Sequence, residues 1–349
     1  MAYTAISKST DYFNSKLYTG TTNAQSLTGV GFQPDMTWIK VRNDTAYHVI
    51  QDAVRGATGT DTYSLITNAE AGDNTDAITS FNSDGFTVGT DANDRSNQNG
   101  KNHVAWNWRA GAGAGSSNTD GSINTTSTSV NTTGGFSICK YTGTGANATV
   151  GHGLGAAPKM IITKSITHTS NWGVYHKSIG ANKMLNLNSS AAEATNNGYF
   201  NDTDPTTTVF SLGDEGNDTN GSGKGYIAYC FAEKTGFSKF GKYTGNGSAD
   251  GTYVHLGFQP AFILFKIYNS TSNWRIFDNK RIGYNVDNNP VYPNVNNAEG
   301  TEDNIDLLSN GFKWRTTDGA LNGSGNNYIY AAFAAHPTVG SNNVSSKAR

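Results

Sequence analysis

Gly236-Phe237-Ser238-Lys239-Phe240-Gly241-Lys242-Tyr243-Thr244-Gly245 decides the fold class of this chain. Apolar or aromatic residues alternate along it, the pattern of a half-buried strand. Its Tyr-Thr-Gly ending occurs twice more, at Tyr18-Thr19-Gly20 and Tyr141-Thr142-Gly143. Downstream of each lies a proline turn: Gly31-Phe32-Gln33-Pro34, Gly155-Ala156-Ala157-Pro158 and Gly257-Phe258-Gln259-Pro260. Proline fixes φ and lacks an N–H, so Pro34, Pro158 and Pro260 are expected to end the pairing of the strand before them. An apolar run closing on lysine follows each proline: Trp38-Ile39-Lys40, Ile162-Thr163-Lys164 and Phe265-Lys266. Ala261-Phe262-Ile263-Leu264-Phe265-Lys266 is apolar without a break and reads as a central strand buried on both faces.

The rest of each unit repeats as well. Asn171-Trp172-Gly173-Val174-Tyr175-His176 and Asn273-Trp274-Arg275-Ile276-Phe277-Asp278 correspond to Ala46-Tyr47-His48-Val49-Ile50-Gln51-Asp52. An Ala-Glu pair comes next, ending at Glu70, Glu193 and Glu299. Ser83-Asp84-Gly85-Phe86 and Ser309-Asn310-Gly311-Phe312 announce a further strand, their glycines supplying the positive φ of a tight turn. Loops rich in Asn and Gly lead to closing strands at Val104–Trp108, Ile227–Phe231 and Ile329–Phe333. A period of about 100 residues is domain-sized and too long for a solenoid repeat. Short strands and turn signals at this spacing predict an all-β chain of three tandem antiparallel β-sandwich repeats of jelly-roll type. The expected boundaries are 1–109, 135–234 and 235–336. Residues 110–134, almost without apolar side chains, read as a flexible or extended linker, and 337–349 as a polar arm. The second and third units, joined directly, are expected to form a fixed pair with the first hung on its linker.

Composition narrows the function classes. In 349 residues, 36% are apolar, 15% charged and 11% aromatic, a balance that suits many short strands with wide polar loops. The net charge of −2, spread without blocks, gives no basic face for nucleic acid. No apolar run approaches the length of a membrane span, and the first residues lack the basic and apolar segments of a signal peptide. Cys139 and Cys230 cannot form a disulfide framework and read as two free thiols.

Candidate sites are few. The histidines do not recur at matching places, and His176 stands where the other units carry Asp52 and Asp278, which suggests a tolerant surface position. Glu70, Glu193 and Glu299 recur singly, whereas a glycosidase needs two carboxyls across one bond, so a hydrogen bond to a loop backbone is the preferred role. Tyr18, Tyr141 and Tyr243 read as structural markers. Calcium is a weak reading of Asp91, Asp94, Asp214, Glu215 and Asp218, which lack the spacing of an EF-hand. No metal or other cofactor, and no catalytic residue, is assigned. Trp172, Trp274 and Tyr47 are the aromatic residues placed to stack on a sugar face if exposed; buried, they belong to the core.

Ser9-Thr10-Asp11-Tyr12-Phe13-Asn14, Gly151-His152-Gly153-Leu154-Gly155, Ile227-Ala228-Tyr229-Cys230-Phe231-Ala232-Glu233-Lys234 and Asp306-Leu307-Leu308-Ser309-Asn310-Gly311-Phe312 resemble phrases in virion-associated proteins of marine tailed bacteriophages. The closing Val339-Gly340-Ser341-Asn342-Asn343 is similar too, so the resemblance runs along essentially the whole chain. It implies a structural, tail-fibre-like protein on the virion surface, assembled in the host cytoplasm, and supplies no catalytic residues. Its expected partners are other virion proteins, further copies of itself as a homo-oligomer such as a trimer, and a host-surface glycan held by the sandwich loops. A capsid decoration subunit is the second reading and a polysaccharide-cleaving enzyme the third; the chain is read as a non-enzyme.

Overall fold

The computed structural model describes residues 4–57, 65–67, 77–90, 95–281, 285, 289–302, 304–337 and 339. The first lobe contains β1 (Phe13–Thr19), β2 (Gln25–Thr28), β3 (Met36–Val41), β4 (Val49–Asp52), β5 (Leu65–Ile66), β6 (Ile78–Asn82), β7 (Gly85–Val88) and β8 (Asn102–Trp108). They form a large sheet, β1-β8-β3-β4-β5, and a small one, β2-β7-β6. The second lobe holds β9 (Ser127–Asn131), β10 (Phe136–Thr142), β11 (Ala148–Gly151), β12 (Met160–Ser165), β13 (Gly173–His176), β14 (Lys183–Asn186), β15 (Ala194–Thr195), the one-turn helix α1 (Asn197–Phe200), β16 (Val209–Leu212) and β17 (Gly225–Phe231). Its sheets are β15-β14-β13-β12-β17-β10-β9 and β11-β16. The third lobe has β18 (Ser238–Thr244), β19 (Tyr253–His255), β20 (Phe258–Ile267), β21 (Arg275–Asp278), β22 (Ile305–Leu308), β23 (Gly311–Trp314) and β24 (Asn327–Pro337), in sheets β18-β24-β20-β21 and β19-β23-β22.

The protein is therefore all-β with sandwich-type antiparallel sheets. Within the first lobe the first strand pairs with the last, the last with the third and the second with the seventh. The fourth strand stays beside the third instead of crossing to the small sheet, so the two sheets are unequal, five strands against three. The unbroken apolar runs β3, β12 and β20 are central strands, and β3 and β12 are buried along their whole length.

Several details differ from expectation. Pro260 does not stop its strand: β20 runs through it, and the lost ladder bond is absorbed by register shifts on either side. Gly311 does not adopt positive φ; it is required because a Cβ there would lie 2.1 Å from the Val254 carbonyl oxygen. Residues 110–134 contain a strand rather than only a linker. Asp35 accepts the N–H groups of Ala110, Ala112 and Gly113 at 2.6, 3.1 and 2.7 Å. Beyond them Ser116 bridges Thr128, β9 adds to β10, and Ile123 lies parallel to Val150. Polar composition suggested a loose tract; instead its backbone groups are taken up by the lobes on either side.

The first lobe is not hung apart. Trp108, Phe231 and Phe333 stand at equivalent positions of the three closing strands, opposite Phe13, Phe136 and Ser238. Their rings meet pairwise: Trp108–Phe231 at 6.4 Å, Phe231–Phe333 at 5.8 Å and Trp108–Phe333 at 5.6 Å. Edge-to-face packing of this kind adds attraction beyond the area buried. The surrounding core draws on every lobe.

Polar contacts around this knot follow one another in a ring. Tyr229 of the second lobe donates its hydroxyl to Asp52 of the first at 2.8 Å. Trp106 of the first donates Nε1 to Asp278 of the third at 3.0 Å. Nε2 of His176 in the second lies 3.2 Å from the Tyr330 carbonyl of the third. His176 is thus a buried junction residue and not a tolerant surface position. Two further junctions use the Ala-Glu segments: the Glu299 N–H donates to the Arg42 carbonyl, and the Glu193 N–H to the Tyr268 carbonyl, each at 2.7 Å. Glu70 lies outside the described residues. The lysines that close the central strands also reach across, Lys40 Nζ to the Asn296 carbonyl at 3.4 Å and Lys266 Nζ to the Ser190 carbonyl at 3.1 Å.

Burial lowers Lys40 to about 7, against the opposing fields of Asp44 and Glu299, and lowers Lys266 to about 8. The unfolded chain holds these protons until roughly pH 10. Between pH 7 and that value the unfolded state binds more protons, so stability is expected to rise with pH. Above it, buried tyrosines with raised pKa, Tyr226 among them, act in the opposite sense. Urea unfolding across this range reads the slope. A profile that does not flatten in Lys40→Met would contradict the assignment to Lys40.

Candidate functional site

Each marker tyrosine carries the same bond. Tyr141 and Tyr243 donate their hydroxyls to the Thr219 and Leu321 carbonyls at 2.7 Å, and Tyr18 to that of Ser96 at 2.6 Å. Beside them are three buried asparagines that sequence reasoning missed, Asn97, Asn220 and Asn322. Their side chains accept from the N–H of Thr21, Thr144 and Asn246 at 2.9, 2.9 and 3.2 Å. The repeated Tyr-Thr-Gly phrase therefore pins the Asn-rich loop in every lobe. Pro34, Pro158 and Pro260 are buried and serve the same scaffold.

Trp172 and Trp274 cannot stack on a sugar. They are 0% and 1% exposed, and their Nε1 groups donate across lobe boundaries to the Ile66 and Asn186 carbonyls at 2.9 Å. An indole inserted between lobes gains apolar burial while its N–H finds an acceptor, which is the better use of the residue here. His48 holds the equivalent place in the first lobe, taking the Trp38 Nε1 hydrogen bond on Nδ1 at 3.0 Å. Burial lowers its pKa well below the usual value, while the Tyr292 backbone of the third lobe pulls the other way.

Tyr47 behaves differently: it is 38% exposed and stands at the seam between the first and third lobes. The Arg95 guanidinium lies 4.9 Å from the centre of its ring. Asp44, Thr45, Gln98 and Asn296 complete the walls of a cleft of about 350 Å³. The loop that presents Tyr47 is fixed from below. The Ala46 N–H donates to the Asn296 carbonyl at 2.9 Å, and Lys40 donates to the Ala46 carbonyl at 2.8 Å. Lys101 bonds Asp44 at 2.7 Å and, with the Thr45 N–H, holds its carboxyl below the usual range. Partial burial lowers Arg95.

An aromatic ring, a guanidinium, two amides and a carboxylate line the cleft. Asp44, kept ionised by its lysine, is poorly suited to act as a general acid, and hydrolysis would need a second carboxyl across the bond.

The second lobe shows why this cleft belongs to one lobe. Asn171 occupies the position of Tyr47, and Asp218 that of Arg95. These two satisfy each other, with the Asn171 N–H and Nδ2 donating to Asp218 at 2.7 and 3.0 Å. In the third lobe the pair is Asn273 and Ala320. A departure from the repeat at two facing positions was the available sequence signal, and the mismatch at Arg95 was not drawn from it.

Asp218 and Glu215 are occupied by protein donors, Glu215 accepting from the N–H groups of Asn217, Asp218 and Thr219. Among the described residues no group of three or more His, Cys, Asp or Glu side chains is placed to hold a metal. Asp91 and Asp94 lie outside those residues. Cys139 and Cys230 are buried free thiols, and burial raises the pKa of Cys230.

Fold and cleft together define a class: an all-β scaffold of three interlocked lobes with a shallow polar cleft at a seam. The chain belongs to the family described as domain of unknown function DUF7483, which matches residues 8–337 and so takes in all three lobes at once. No curated protein and no solved structure matches the chain. No helix among the described residues is long and apolar enough to cross a membrane.

Proposed function

We propose that this is a structural protein of a tailed-phage particle surface that contacts a host-surface glycan, with the Tyr47–Arg95 cleft as the contact. The observation that carries the reading is the cleft itself: an exposed ring framed by hydrogen-bonding side chains on a rigid seam. A wet, polar site of this size suits a saccharide. The virion location rests on the phrase-level resemblance noted above.

Glycan-array binding tests it. Tyr47→Ala is expected to weaken retained glycans at least about tenfold, or 1.4 kcal/mol, with the chain still folded by circular dichroism. Undiminished binding would remove the cleft from the reading. A decoration subunit is the second reading, favoured by the closed ring of lobes, which presents three related faces to a neighbour on a symmetric shell. Quantitative mass spectrometry of purified virions separates the two by copy number, a few to tens for a fibre and hundreds for a decoration subunit.

A further inference from the structure

We infer that β19, the outer strand of the third lobe's small sheet, is a strand-addition site for an extended polypeptide from another molecule. This is independent of the glycan reading. The second lobe provides the template. Val150 of β11 faces Phe210, and Val254 of β19 faces Phe312, so the two strands correspond, with Thr149 at the place of Tyr253. On β11 the outer edge is occupied. The Ile123 N–H donates to the Thr149 carbonyl at 2.9 Å, and the Thr149 N–H donates to Ser122 Oγ at 2.9 Å. Ile123 also buries its side chain beside Val150.

On β19 the same edge is open. Thr252 and Leu256 turn their backbone groups toward the β23 side, bonding Trp314 and Asn310, so those of Tyr253 point outward. No hydrogen bond from a described residue meets the Tyr253 N–H or carbonyl; the next outward carbonyl, that of His255, is taken by Lys239 Nζ at 2.8 Å. Tyr253 is 44% exposed, more than any other large apolar side chain among the described residues. On the corresponding edge strand β2 the exposed side chains are those of Ser26 and Thr28, with no aromatic ring at the place of Tyr253.

On the large-sheet edges at β1 and β18 a side chain caps an outward N–H. Where Ile138 pairs with Ser129 of β9, the Ser15 N–H is bonded by Asn14 Oδ1 at 3.0 Å and the Phe240 N–H by Glu233 Oε2 at 3.2 Å. Side chains there replace an added strand. The small-sheet edge at Tyr253 has no such plug, and an unpaired edge takes an extended chain through its main-chain bonds. The occupant has the chemistry of Gly121-Ser122-Ile123-Asn124-Thr125: extended, uncharged, rich in Ser, Thr and Asn, with one β-branched apolar residue.

The test adds a capped synthetic peptide of the sequence from Asn118 to Thr128 to the intact chain and follows amide hydrogen exchange. The Tyr253 and His255 amides are expected to slow, and binding to weaken at least tenfold in Tyr253→Pro. That proline removes only an outward N–H, so the β23 pairing and the melting temperature stay as they were. Equal binding by Tyr253→Pro, protection at β11 instead, or no protection at millimolar peptide overturns the proposal. So does self-association of the chain that Tyr253→Pro abolishes while the peptide fails to bind, which would assign the edge to a second copy.

Discussion

Phe333→Ala is expected to destabilise the chain by about 3–5 kcal/mol, the range for deleting a fully packed aromatic ring. The ring is 4% exposed and meets Phe13 and Trp108 of the first lobe, Phe231 of the second, and Phe237, Phe240 and Phe262 of its own. The space left by truncation lies beside an apolar void of about 20 Å³ lined by residues of all three lobes. Collapse into it would require the closing strands to shift together, and each is hydrogen-bonded on both sides. The loss should therefore appear in every lobe. Urea unfolding of the parent chain is expected to show one transition, and exchange in Phe333→Ala to quicken at β8 and β17 as well as β24. Quickening confined to β24 would mean that the lobes are stable separately.

This interlocking was only partly legible in the sequence. Alternation in Gly236–Thr244, the unbroken run through Phe265 and the recurring Tyr-Thr-Gly turn are local patterns, and they led to the observed strands. The closing-strand faces were also readable: Trp106 and Trp108, Tyr229 and Phe231 lie on their faces by period two. What that face packs against was not readable, because a period-two stripe looks the same whether it covers its own sandwich or meets two other lobes. Trp172 and Trp274 show the consequence. Their position after a polar loop left an exposed ring and a core residue both open, and the surface that buries them belongs to the next lobe. The tract 110–134 failed for a different reason. Composition counts apolar side chains, whereas this segment is held by backbone bonds and the Asp35 carboxylate, with Ile123 as its buried anchor. Tyr47 was named from its type alone; the partner that makes it a site, Arg95, is distant in sequence.

Asp52→Ala is expected to cost about 3–5 kcal/mol, as for removing one member of a buried ion pair. Asp52 and Arg55 are both 0% exposed at their side chains, and Nε of Arg55 donates to Oδ2 at 2.6 Å. The same oxygen accepts the Tyr229 hydroxyl from the second lobe, so the substitution removes an acceptor that a buried guanidinium and a lobe junction share. Asp278→Ala is expected to act in the same direction. Arg281, its partner at 2.6 Å, also lies 3.4 Å from Glu299, which remains to face the charge. The second lobe indicates what could replace the pair. There the corresponding residues are His176 and Ile179; His176, lowered to about 4 by burial, is neutral at pH 7 and meets the Tyr330 carbonyl. An uncharged junction is thus compatible with this architecture. Copying it in the first lobe, with Asp52→His and Arg55→Ile together, is expected to recover more than half of the Asp52→Ala loss, because both members of the pair are replaced together. Stability is read from urea midpoints at pH 7. A double variant as unstable as Asp52→Ala would show that the salt bridge contributes more than a neutral junction can, and would reverse the argument that charge at this position is dispensable once removed in pairs.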